Sequence, residues 1–199
     1  MSEFDSRARE WDKDKVHLER SEAIATELQK AIPLNPSMTA LEYGAGTGIL
    51  SFLLKNRFAE ITLMDSSSEM IKVCEEKAEY FGTKHIKPLF FDLEHSKYDQ
   101  KFDIIYTQMV MHHVVDVNAM LNKFYALLKP KGYLAIADLY TEDGSFHGPE
   151  VNVHLGFDPS DIANSLKTVG FINPEHKTCF AMKRPNGRDY PIFLLIAKK

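Results

Sequence analysis

Residues 41–48 read Leu-Glu-Tyr-Gly-Ala-Gly-Thr-Gly, with Gly44, Gly46 and Gly48 at alternate positions directly after a short apolar run. Glycines in such a turn let the backbone bend sharply and let a ligand approach the main chain, and the helix that follows offers unpaired N–H groups. Asp65 ends the next apolar run, 21 residues after Gly44. That is close to the spacing of about 20 residues at which a carboxylate reaches ribose hydroxyls in a strand–helix–strand nucleotide site. Asp92 closes a third run in Phe-Phe-Asp-Leu-Glu-His. Glu42, two residues before the first glycine, suits a cationic or amino-bearing ligand better than a pyrophosphate. The third glycine of a dinucleotide fingerprint is missing, because position 49 is Ile. These residues together imply an adenosine-containing ligand.

Four of the eight histidines fall where a substrate would lie: His112 and His113 after one apolar run, His147 and His154 in a later loop. His113 and His154 are the candidates for moving a proton. The plainer readings are that the His-His pair starts a helix and packs, and that His154 orients rather than transfers. No His pair at i, i+4 and no His/carboxylate spacing is present, and Cys74 and Cys179 stand far apart without a Cys-x-x-Cys, so no metal is expected.

These groups need a scaffold that brings strand ends together. Helical spacing runs from about Ser6 to Ile32 and stops at Pro33 and Pro36. Then strand-like and helix-like segments alternate: TALEY, ILSFLLKN, EITLMD, a helix to Tyr80 with Ser66 and Glu69 at capping-box spacing, HIKPLFFD, FDIIYTQ, a helix from Asp116 to Leu128, and GYLAIADLY. Asp158, Pro159 and Asp161 begin a last helix with an N-cap, a proline at the first helical position and an acid in the first turn. This alternation predicts an α/β, doubly wound, mostly parallel sheet, with the site at the carboxyl ends of its strands. Asn186-Gly187 lies between two strand-like runs, so the sheet is expected to finish in an antiparallel C-terminal hairpin.

The chain has 199 residues, 44% apolar and 26% charged, which fits one globular domain over 1–199. A net charge of −4 gives no electrostatic pull toward nucleic acid or an anionic membrane. The basic residues Lys183, Arg184, Arg188, Lys198 and Lys199 read as hairpin and tail. The charged N-terminus does not read as a signal peptide, the longest strongly apolar stretch, 192–197, is too short to span a bilayer, and two isolated cysteines fit a reduced, cytoplasmic setting.

At this level of detail the sequence resembles the class I S-adenosylmethionine-dependent methyltransferases, particularly the small bacterial ubiquinone/menaquinone-methyltransferase-like type. LEYGAGTG is similar to their E/D-x-G-x-G-x-G motif, LMDSSSEMI to the strand-two motif, FFDLEH to the strand-three motif, FDIIYTQMVMHHV to the strand-four motif and LKPKGYLAIAD to the segment entering strand five. The resemblance covers about Thr39 to Asp138. It implies a seven-stranded Rossmann-like sheet and S-adenosyl-L-methionine as the methyl donor, held by Glu42, Gly44, Gly46, Gly48, Asp65, Ser66, Met70, Asp92, Leu93 and Gln108. Gln108 stands where many relatives carry Asn or Ser. Residues 1–36 are then an N-terminal helical segment in which Phe4 and Trp11 either close over the cofactor as a lid or pack as plain aromatic anchors. The loop 141–157 would face a substrate, expected to be a small molecule, in a monomer or homodimer. An NAD(P)-dependent oxidoreductase and a non-catalytic S-adenosylmethionine-binding module are the alternatives.

Overall fold

A computed structural model of the chain describes residues 4–147 and 151–199. Seven strands form one sheet: β1 (Thr39–Tyr43), β2 (Glu60–Asp65), β3 (Ile86–Phe90), β4 (Phe102–Gln108), β5 (Leu128–Leu139), β6 (Ile172–Lys183) and β7 (Asp189–Lys198). Their order is β3-β2-β1-β4-β5-β7-β6, with β1 to β5 parallel and β7 antiparallel to both its neighbours. The order reverses at β1/β4, so the carboxyl ends of β1 and β4 flank a crevice with β2 beside it.

Among the described residues, five α-helices cover the sheet: α1 (Lys15–Ala31), α2 (Ile49–Leu54), α3 (Ser68–Tyr80), α4 (Val117–Leu127) and α5 (Pro159–Val169). The inner parallel strands β1, β2 and β4 are buried on both faces, as a sheet wound on both sides requires, while the edge strand β3 is largely exposed. Ala40, Ile104 and Ala135 meet Ile24, Leu28, Leu50 and Leu54 of α1 and α2 on one face. Leu41, Ile105 and Leu134 meet Phe124 of α4 and Leu166 of α5 on the other. The doubly wound, mostly parallel sheet and its C-terminal antiparallel hairpin match the sequence expectation, with Gly187 in the turn at φ +78°.

Three local expectations change. The single N-terminal helix is two: a 3-10 helix over Asp5–Lys13 and then α1, broken at Asp14, whose extended backbone and side chain, accepting the Val16 N–H, make it an N-cap. The cap of α3 is Ser67, not Ser66; its Oγ accepts the Met70 N–H, which leaves Ser66 turned outward. The fifth strand begins at Leu128, because the stretch around Pro130 runs extended into the strand once Leu128 caps α4.

Candidate active site

The turn from β1 to α2 is built on positive φ angles: +64° at Gly44, +54° at Gly46 and +76° at Gly48. A Cβ on Gly44 would sit 2.4 Å from Val110 Cγ2, so that position is packed tight. A Cβ on Gly46 would meet nothing within 4 Å, because it faces the open cavity. Gly48 lies outside the cavity lining and lets α2 pack on Leu63. Asp65 at the end of β2 ties the turn together: Oδ2 accepts the Gly46 N–H at 2.7 Å and Oδ1 the Ser67 N–H at 2.8 Å. Burial pushes the Asp65 carboxyl above its usual range, and these two backbone donors act against that.

One cavity lies along this rim. Gly44, Gly46, Asp65, Ser66, Met70, Asp92, Leu93, Gln108 and His113 all line it. Leu93 and Met70 are buried and form its apolar side. Asp92 is exposed and bonded to His95, with Nδ1 to Oδ2 at 2.8 Å; partial burial raises its pKa, and the His95 bonds outweigh that and hold it below the ordinary carboxylate range.

The opposite wall comes from the N-terminal segment. Phe4 and Trp11 line the cavity, and so does Arg20 of α1. The strap is fixed by polar ties: Thr47 Oγ1 donates to Asp12, Lys77 Nζ donates to the second Asp12 oxygen at 2.8 Å, and Ser67 Oγ donates to Asp5 at 2.6 Å. Arg20 is 5% exposed, and its Nε has no hydrogen-bond partner among the described residues. Burial lowers its pKa to about 10, with Asp138 and Glu42 pulling the other way, so it is a cation at neutral pH. An orphaned, cationic donor at a cavity wall is suited to a carboxylate.

Glu42 does not line the cavity, contrary to its expected direct contact with the cofactor. Its carboxylate is fully buried, accepts the Ser51 hydroxyl and N–H, and lies 3.5 Å from Gln108 Nε2. Ser51 also meets the Tyr106 hydroxyl at 2.6 Å, and Ser21 Oγ donates to Gln108 at 3.1 Å. Glu42 therefore supports the turn from beneath, since the pleat at position 42 points toward α2 and not toward the rim. His154 is displaced too. Its Nε2 bonds the Val114 carbonyl at 3.0 Å and its N–H bonds the His112 carbonyl, so it pins the loop to the turn after β4, away from the cavity lining. His113 does line the cavity, and burial with His112 and His147 nearby pushes its pKa down to about 4, leaving it neutral near pH 7. Of the loop expected over 141–157, residues 148–150 lie outside the described residues, as do residues 1–3 of the expected lid.

Comparison with known proteins joins this geometry to a family. The methyltransferase-domain profile matches residues 34–181, the segment that carries the turn, Asp65, Asp92 and Gln108. The chain belongs to the methyltransferase-domain family. It is 30% identical over 155 residues to an uncharacterized methyltransferase of Schizosaccharomyces pombe, covering 69% of this chain and 55% of that protein, so it spans little more than half the relative's length. Its fold matches a protein solved in complex with the Haloferax volcanii Trm112 methyltransferase activator (TM-score 0.78, 17% identity, 100% of this chain and 98% of the other). It also matches the N-methyltransferase NodS of Bradyrhizobium japonicum in complex with S-adenosyl-l-homocysteine (TM-score 0.68, 15% identity, 91% and 85%).

Within this methyltransferase fold, the site residue with no sequence signal is Arg20. A charged side chain on an amphipathic helix reads as solvent-facing, and only the packing of α1 across the rim buries it. No helix among the described residues is long and apolar enough to cross a membrane.

Proposed function

We propose that the protein transfers the methyl group of S-adenosyl-L-methionine to a small-molecule acceptor. The observation that carries this reading is the shared rim: Gly46 with an open face, Asp65 and Asp92 on one cavity, and the unpartnered Arg20 Nε across from them. Asp65 would accept from the ribose hydroxyls, Leu93 and Met70 would hold the adenine ring, Asp92 and Ser66 would meet its edge, and Arg20 would pair with the donor's amino-acid carboxylate. S-adenosylmethionine supplies a methyl already activated on a sulfonium. The task left to the chain is to orient the acceptor and exclude water, and such positioning contributes up to about 7–11 kcal/mol. Phe4, at the N-cap of the Asp5–Lys13 strap, and Trp11 within it support a closed site, which fits a small acceptor better than a macromolecule.

Calorimetry separates this reading from a dinucleotide-dependent one. S-adenosylhomocysteine is expected to bind and NADH not. Asp65→Ala is expected to weaken S-adenosylhomocysteine binding more than tenfold, because a charged hydrogen bond contributes about 1.5–3 kcal/mol. Binding of NADH alone would end the methyltransferase reading, and unchanged affinity in Asp65→Ala would end the ribose assignment.

A further inference from the structure

We propose that His112, His113 and His147 form a binding site for one divalent first-row transition ion, with zinc the best match, at the wall of the cavity. The three imidazoles come together from two loops at the same rim, the turn after β4 and the segment after β5. Each offers one nitrogen, and the three nitrogens all lie within 4.8 Å of one another. The ring centroids are 4.3, 4.9 and 5.2 Å apart. Zinc–nitrogen bonds of 2.0–2.1 Å in a tetrahedral site place the nitrogens about 3.3 Å apart, so closing on an ion requires the three rings to draw together from a spread of at most 4.8 Å.

What lies behind the trio strengthens the assignment. His112 is buried and its Nδ1 is 2.6 Å from Oδ1 of the fully buried Asp138. Asp138 is itself fixed, accepting the Leu139 N–H at 2.7 Å and the His112 N–H at 3.3 Å. A carboxylate only accepts, so the His112 proton sits on Nδ1 and the Nε2 lone pair is left for a ligand. A carboxylate orienting one imidazole from behind is the arrangement that supports histidine-ligated zinc. His113 and His147 make no side-chain hydrogen bond among the described residues; outside the trio, His113 meets the Phe4 ring edge-on and His147 the Phe146 ring. Three neutral nitrogen donors with no thiolate favour zinc and its borderline neighbours over magnesium or calcium, which take oxygen. Sequence spacing gave no hint of this set, because a His-His pair and a distant loop histidine have no recognisable interval. The proposal does not depend on the methyl-transfer reading.

The test is titration of tag-free, chelator-stripped protein with Co(II), followed by visible absorption, with zinc added in competition. One Co(II) per chain is expected, with the intense ligand-field band of a four-coordinate site, displaced by one equivalent of zinc. His147→Ala should abolish the band while far-UV circular dichroism and the metal-free melting temperature stay unchanged. Asp138→Asn should weaken affinity about 10–100-fold, as loss of a carboxylate behind a ligand does, and the exposed His176→Ala should have no effect. Absence of the band, or equal binding by wild type and His147→Ala, overturns the proposal.

Discussion

Glu42 is a buried carboxyl that braces the glycine turn from outside the cavity lining. It is fully buried beneath the glycine turn, and loss of hydration pushes its pKa up to about 7 against hydrogen bonds from Ser51 and Gln108. The ordinary value is 4.5, so between these limits the folded chain holds a proton that the unfolded chain has lost. The stability linked to Glu42 is therefore fully present below the unfolded value and is lost as pH rises through about 7. Glu42→Gln keeps the volume and one acceptor and has no such titration. Urea unfolding from about pH 5 to about pH 8 should show wild type losing on the order of 3 kcal/mol relative to Glu42→Gln. Parallel pH profiles for the two proteins would show that this carboxyl is not the group taking up the proton.

At the scale of the element, the β1–α2 turn separates packing from binding. Gly44 and Gly46 both hold left-handed backbone, where a side chain costs about 1–3 kcal/mol. Gly44→Ala adds a collision with Val110, whereas Gly46→Ala adds none and instead projects a methyl into the cavity. Gly46→Ala is expected to fold with only the backbone cost and to bind S-adenosylhomocysteine at least tenfold more weakly. Gly44→Ala should lose more stability, and Val110→Ala should restore part of it. Denaturant unfolding beside calorimetry checks both; equal stability losses for the two variants would contradict the contacts. The elements themselves were legible in the sequence: short apolar runs alternating with segments of helical spacing placed the strands and helices, and Asn186-Gly187 marked the hairpin. Two classes of feature were not. Glu42 and Ser66 are placed by the local choice of pleat and cap, where Ser66 and Ser67 compete and only backbone geometry decides. Arg20 and the histidine trio depend on contacts between segments distant in the chain, which leave no periodic trace.

Across the whole molecule, the Asp5–Lys13 segment contributes to the cavity a wall that lies outside the sheet and its α2–α5 helices. It is held by Asp12 to Thr47 and Lys77, by Asp5 to Ser67, and by an exposed Arg9–Glu76 pair. The exposed Arg9–Glu76 pair adds little, the Asp12–Thr47 and Asp5–Ser67 ties are single part-buried hydrogen bonds, and Ala8 is the only buried apolar residue the segment supplies, so it should open far more readily than the sheet unfolds. A ligand gripped between it and the Gly44–Gly48 turn links that opening to its own release. At about 100 times its dissociation constant, a ligand stabilises the closed form by about 2.7 kcal/mol, which corresponds to about a 100-fold reduction in opening. Hydrogen exchange should therefore show the amides of Asp5–Lys13 slowing by up to about 100-fold when S-adenosylhomocysteine is added. Locally exchanging amides at the β6–β7 turn, which does not line the cavity, should keep their rates. Strap amides that exchange equally fast with and without the ligand would mean that Phe4 and Trp11 are packing residues of the domain and take no part in closing the site.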